Sequence, residues 1–225
     1  MDIANKNGCT PISTAAQKGH VEVVREFLNR GARGDIADKD GCTPIYAAAL
    51  FGHLNVVREL LNSGVGLDIA DKSGWTPIYV AALFRHLDVV RELLNRGARF
   101  DIVDKDGWTP TYAATIIGHL DVVQELLNHG FRVNIANKNG CTPIYAAAKE
   151  AHVEVVRELL NCDDRMDIET EFVWKLIYAA AIKGRVDVVR ELANRGARMD
   201  IANKVGWTPI YAAAIAVTWR LFENC

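Results

Sequence analysis

At 225 residues, half of them apolar and 24% charged, the chain has ample material for a core and room for one or two domains. Its formal net charge of -2 lacks the basic excess that nucleic acid or an anionic membrane surface selects. No apolar run approaches the roughly 20 residues of a membrane span, and the opening residues 1–10 lack the basic and apolar regions of a secretory signal, so a cytoplasmic or nuclear location is expected.

The first predicted element is a short helix entered at Thr10-Pro11-Ile12-Ser13, and the second is a helix over Val21–Asn29. Both then recur every 33 residues along the chain. The entry block returns as Thr43-Pro44-Ile45-Tyr46, Thr76-Pro77-Ile78-Tyr79, Thr109-Pro110-Thr111-Tyr112, Thr142-Pro143-Ile144-Tyr145, Lys175-Leu176-Ile177-Tyr178 and Thr208-Pro209-Ile210-Tyr211. The second helix returns as Leu54–Asn62, Leu87–Asn95, Leu120–Asn128, Val153–Asn161 and Val186–Asn194. A period between about 20 and 50 residues marks a solenoid, in which each unit buries its apolar face only against its neighbours. The boundaries are 2–34, 35–67, 68–100, 101–133, 134–166, 167–199 and a partial 200–225, about six full repeats and a truncated seventh in one domain spanning 1–225. The fold class is all-α. Such a chain is a surface for partners rather than a pocket for chemistry.

Within the second repeat, Asp38-Lys39-Asp40-Gly41 is turn chemistry, because Asp bonds local backbone and Gly permits positive φ. Thr43 suits an N-cap, and Pro44 suits the first helical position, where its missing N–H would be unpaired anyway. A short helix follows through Ala47, Ala48 and Ala49, and Gly52 can end it in a left-handed conformation. In the second helix, Leu54, Val56, Val57, Leu60 and Leu61 make a broad apolar face, with Arg58, Glu59 and Asn62 turned away, and Gly64 closes it. Helices of roughly 8 and 10 residues do not stand alone in water, so stacking must hold them. Glu22, Asp88, Asp121, Glu154 and Asp187 open the second helices, where negative charge suits the dipole. Arg25, Arg91, Arg157 and Arg190 lie three residues beyond their acids and can pair with them.

Candidate chemistry is sparse. Cys9, Cys42 and Cys141 share one repeat position with Trp75, Trp108, Trp174 and Trp207, which marks a packing or contact position rather than a ligand. Repeats stacked about 8–10 Å apart hold equivalent cysteines too far apart for a disulfide, which needs Cα atoms within about 7 Å. No CxxC or HxxxH pair starts a metal site, and no cofactor is expected. Of the six histidines, five sit at one repeated step and His129 is a lone loop residue. No nucleophile triad or phosphate-cradling loop appears, so the chain is not expected to be an enzyme.

The order of turn, Thr-Pro helix entry, paired alanines, Gly-His (Gly19-His20, Gly52-His53, Gly118-His119), an LxxVVxxLL-type second helix and a closing Gly resembles the ankyrin repeat over essentially the whole chain. The His of that family's TPLH motif is replaced by Tyr46, Tyr79, Tyr112, Tyr145, Tyr178 and Tyr211, and by Ser13 in the first repeat. A Tyr there can fill the same space and hydrogen-bond through its hydroxyl. The resemblance implies an L-shaped stack of helix pairs with hairpin-like fingers to one side, a concave face of fingers and first helices that binds proteins, and no catalysis. Two positions at the end of the first helix then become the contact candidates. They read Gln17-Lys18, Leu50-Phe51, Leu83-Phe84, Ile116-Ile117, Lys149-Glu150, Ile182-Lys183 and Ile215-Ala216, so the second to fourth repeats offer apolar pairs between polar ones. With Trp75 and Trp108 at the finger base, Leu50, Phe51, Leu83, Phe84, Ile116 and Ile117 form the candidate partner-binding patch. Alternatively Leu50, Leu83 and Ile116 pack inward and the patch is half as large. The expected function is a monomeric adaptor for a protein partner; the alternative is a regulatory or targeting segment of a larger, enzyme-linked or ubiquitin-ligase-associated protein. A mechanical spacer would show a polar face instead.

Departures from the repeat concentrate late in the chain. Asp163 replaces a closing Gly, Glu169-Thr170-Glu171-Phe172 a finger, Val173 a turn Gly, and Lys175-Leu176 the Thr-Pro entry. This reads as degeneration or as a hinge, and restoring Thr-Pro at 175–176 is expected to stabilise. Ala193 in place of a second-helix Leu is expected to leave a cavity. Trp219 and Phe222 fall in the last repeat where Leu54 and Val57 fall, as a stunted cap, and the missing polar caps would suit a piece of a longer array.

Overall fold

The computed structural model describes residues 2–131, 135–162, 171–200, 202, 205–209, 211, 214 and 215. Asp163, Glu169, Thr170, Ala216, Trp219 and Phe222 lie outside the described residues. The described helices alternate short and longer: α1 (Pro11–Gln17), α2 (Val21–Asn29), α3 (Pro44–Leu50), α4 (Leu54–Asn62), α5 (Pro77–Leu83), α6 (Leu87–Asn95), α7 (Pro110–Ile117), α8 (Leu120–Asn128), α9 (Pro143–Glu150), α10 (Val153–Asn161), α11 (Glu171–Ile182) and α12 (Val186–Asn194). Among the described residues there is no strand.

The chain divides into two compact units, one of residues 1–114 with 121–131 and one of residues 115–120 with 132–225. In the first, α1 packs on α3 and α3 on α5 as one layer, α2 on α4 and α4 on α6 as a second, and each short helix packs on the longer one that follows it. In the second, α9 with α10 and α11 with α12 repeat that arrangement. The core follows the period: Ile12, Ile45, Ile78 and Ile144 from first helices and Leu60, Leu93, Leu126, Leu159 and Leu192 from second helices are almost fully buried.

Thr43 caps α3 as its position predicts, its Oγ1 accepting the Tyr46 N–H at 3.3 Å with Pro44 at the first helical position. Thr10, Thr76, Thr109, Thr142 and Thr208 do the same for the N–H three residues on. The other end is capped from outside. The Nε2–H of His53 donates to the Gln17 carbonyl at 3.1 Å, that of His86 to Leu50 at 3.0 Å and that of His152 to Ile116 at 3.0 Å. Each histidine therefore satisfies a carbonyl at the end of the preceding repeat's first helix, which has no intrahelical partner. Gly19, Gly52 and Gly118 are the residues over which those rings lie.

Two late expectations are corrected. The expected short helix of the sixth repeat is instead a 12-residue helix, because Glu171–Lys175 join its N-terminal end, and Val173 and Leu176 are buried in it. Losing the turn Gly and the Pro removed the stop, so the helix runs on through the finger position. Ala193 is itself exposed rather than lining a core cavity, although Leu61 and Leu94 at the same repeat position are buried.

First-helix α7 departs differently. Thr111 stands where other repeats have buried Ile, and Thr115 where Ala16, Ala49, Ala82 and Ala148 are fully buried. Both threonines are fully buried, and among the described residues neither hydroxyl has a hydrogen-bond partner. A buried polar group without a partner costs about 1–3 kcal/mol. Thr111→Val and Thr115→Val, which keep the shape and remove the hydroxyl, are each expected to stabilise by about that amount. Denaturant titration followed by helicity checks this; an unchanged or lower midpoint would show that the hydroxyls are satisfied.

Candidate functional site

The candidate site is built on the fingers and first helices of the first unit. Each finger is folded around one Asp or Asn side chain: Asn5, Asp38, Asp71 and Asp104. The Asp71 Oδ1 accepts the N–H groups of Ser73 and Trp75 at 2.8 and 2.9 Å, and the Asp104 Oδ1 those of Asp106 and Trp108, both at 2.9 Å. This is the local bonding that favours Asp in turns, and Gly41, with φ of 88°, supplies the left-handed residue in the preceding finger. The second carboxylate oxygen reaches the repeat before. Tyr46 Oη donates to Asp71 Oδ2 at 3.2 Å, while Tyr79 Oη and Trp75 Nε1 both donate to Asp104 Oδ2 at 3.2 Å. Burial first, then the facing carboxylates, hold the Tyr46 and Tyr79 phenols protonated well above their usual range. These tyrosines are structural donors, as their position suggested.

Trp75 lies flat on Tyr79, with ring centroids 5.2 Å apart, and Trp108 on Tyr112 at 3.5 Å. Both tryptophans are half-buried, and the indole N–H of Trp75 is engaged within the protein. Leu50 and Leu83 are half-buried, whereas Phe51 and Phe84, one residue on, are 47% and 50% exposed. Phe51 and Phe84 are the C-caps of α3 and α5, and Phe51 stacks partly on His53. In the second unit Ile116 is half-buried and Ile117 is 50% exposed. The first residue of each pair thus covers core and the second faces solvent.

The second helices carry a feature that the residue-by-residue reading missed. Arg25 reaches Glu59 at 2.6 Å, Arg58 reaches Glu92 at 2.9 Å, Arg91 reaches Glu125 at 2.8 Å and, in the second unit, Arg157 reaches Glu191 at 2.9 Å. Each partner lies one period plus one residue away, which is the signal that could have revealed the ladder. The expected pairs within a helix also form at Arg25–Glu22 and Arg190–Asp187, while Arg91–Asp88 is long at 4.0 Å. Arginine hydrogen bonds hold the Glu59 and Glu191 carboxyls below their usual range. Their contribution is therefore full above the unfolded carboxylate pKa and is lost as the pH falls through the lower folded value.

Little on the first unit is suited to covalent chemistry. Burial pushes the Cys42 thiol up to about 12, and burial also raises Cys9. An open recess of about 360 Å³ beside Gly34 and Val65 contains charge only as Arg33 and Asp35, which pair with each other. Among the described residues, no group of three or more His, Cys, Asp or Glu could hold a metal ion, and no helix is long and apolar enough to cross a membrane.

Among known families, the chain matches ankyrin repeats (3 copies), over residues 12–104 and 96–171. None of the curated proteins matches the chain.

Proposed function

Because the chain belongs to the ankyrin-repeat family, whose members are in general protein–protein interaction modules and typically not enzymes, we propose that it is an adaptor holding a protein partner on its finger-and-first-helix face. This is the concave face that the family resemblance implies. The repeat register runs without a break in the sequence, so we take 1–225 as one repeat domain acting as a monomer.

The observation that carries the proposal is the pair Phe51 and Phe84. They hold one register position at the ends of α3 and α5, and about half of each ring remains in water, while the aliphatic side chains inside those helices are buried. Trp75 and Trp108 lie toward the other end of the first helices, and Leu50 and Leu83, which precede the exposed rings, are half-buried. Aromatic anchors over an apolar base are the composition of a binding hot spot. The same reading extends to Ile116 and Ile117 of the second unit.

Covering a Phe fully is worth about 1.5–3 kcal/mol. Phe84→Ala is therefore expected to weaken partner affinity about tenfold, and Phe51→Ala similarly. Arg91→Ala, on the second-helix side, is expected to leave affinity unchanged. Each variant is titrated against a partner recovered by pull-down, with helicity as the folding check. If both Phe variants fold and bind like the native chain, the face is wrong.

A further inference from the structure

We propose that Asn139, at the tip of the fifth finger, is a modification site where water converts the side-chain amide to Asp and isoAsp through a cyclic imide, while the fold spares its counterpart Asn7. The inference goes beyond the adaptor reading and stands independently of it.

Asn-Gly occurs at two places in the chain, Asn7-Gly8 and Asn139-Gly140, and both asparagines are exposed. Residues 3–12 and 135–144 are identical in sequence, so the two sites have the same intrinsic reactivity and any difference comes from the fold. Asn-Gly suits the chemistry because glycine has no Cβ to keep its nitrogen from the neighbouring side chain. Hydroxide takes the proton of the Gly140 N–H, and the nitrogen attacks Cγ of Asn139. The new N–Cγ bond closes the imide ring as the Cγ–Nδ2 bond breaks. The leaving nitrogen takes a proton from water and departs as ammonia. Water then opens the ring, at the main-chain carbonyl to give isoAsp or at the side-chain carbonyl to give Asp, with no change of oxidation state.

In both fingers the attacking nitrogen is engaged. Gly8 N–H donates to the Asn5 carbonyl at 2.9 Å, and Gly140 N–H to the Asn137 carbonyl at 3.0 Å. The turn must therefore open locally before the ring can close, and the rate follows the ease of opening. The first finger is clamped by the second. Lys39 N–H donates to the Asn7 carbonyl at 3.0 Å, and a Cβ on Gly8 would lie 2.9 Å from the Lys39 nitrogen. Among the described residues the fifth finger has no such clamp. There no N–H reaches the Asn139 carbonyl, and a Cβ on Gly140 would meet nothing within 4 Å. Glu171, at the register of Lys39, opens α11 instead of forming a fingertip. The Asp product is one the finger accommodates, since Asp40 and Asp106 stand at the same register.

The test is incubation of the native full chain in mildly alkaline buffer, with ammonia release followed over time. Proteolysis and mass spectrometry then place the product, and an isoaspartyl methyltransferase labels isoAsp. In the folded chain Asn139 is expected to react about fivefold or more faster than Asn7, the effect of one backbone hydrogen bond on local opening. In urea the two rates are expected to converge, because the flanking sequences are the same. Asn139→Asp is expected to keep the native helicity and to remove most of the early ammonia. Equal rates in the folded chain, a faster Asn7, or no product at either site would overturn the inference. A rate difference that persists in urea would also overturn it, because the cause would then not be the fold.

Discussion

Gly52→Ala is expected to destabilise the first unit by about 2–5 kcal/mol, far more than one methyl group suggests. Gly52 has φ of 74°, where an L side chain costs about 1–2 kcal/mol. A Cβ there would lie 2.5 Å from Nδ1 and 2.9 Å from Cγ of His86. The ring cannot retreat freely, because its Nε2 is held to the Leu50 carbonyl at 3.0 Å. Overpacking of this kind adds about 1–3 kcal/mol. The chain contains its own remedy. At the corresponding step of the second unit, Ala151 adopts φ of 71°, and the following repeat has Arg185 in place of His. The Arg185 Nε donates to the Lys149 carbonyl at 3.2 Å, so the cap survives without a ring over the step. His86→Arg in the Gly52→Ala background is therefore expected to recover the clash, about 1–3 kcal/mol, and to leave the backbone strain. Hydrogen exchange resolved by repeat, with the two single variants and the double, measures the coupling. Simple additivity would show that the ring and the glycine are independent.

The second large effect reverses what the sequence suggests. Lys175→Thr with Leu176→Pro restores the motif of the other repeats and, by sequence, should stabilise. In the structure Leu176 is the sixth residue of α11 and fully buried. Proline inside a helix costs about 3 kcal/mol or more, by removing a hydrogen bond and striking the carbonyl four residues back. Losing a buried Leu adds about 2–5 kcal/mol. The double variant is expected to lose about 5 kcal/mol or more from the second unit, and Lys175→Thr alone, at an exposed position, little. A rise in the thermal midpoint of the double variant would show that the helix starts at 175 after all.

These cases show what was legible. Where the code is local, the sequence reading of caps and turns holds: Thr43 before Pro44, Asp71 two and four residues before the amides it accepts, Gly52 at a left-handed step. Leu50 is half-buried beside exposed Phe51, a difference that successive helix residues about 100° apart allow. What stayed hidden were interactions whose partner lies a full period away. The Arg58–Glu92 ladder, the caps from His86 onto Leu50 and the shared acceptor Asp104 each need the repeat pitch before the residues can be paired. Trp75 shows the limit for the site: its type and register suggest a packing or contact position, but only the fold shows that its N–H is engaged with Asp104. The extension of α11 was illegible for another reason. Missing stop signals say that a turn is lost, and not that helix replaces it.

The central claim is that partners meet the finger-and-first-helix face of the first unit rather than its second-helix face. A photoreactive benzoyl-phenylalanine placed at position 84 or at position 91, in otherwise native chains, tests it directly. Phe84 lies at the end of α5, and Arg91 is within α6, paired with Glu125. With the recovered partner present, cross-links are expected from position 84 and not from position 91. Cross-links from 91 with none from 84, in folded variants of equal helicity, would contradict the account.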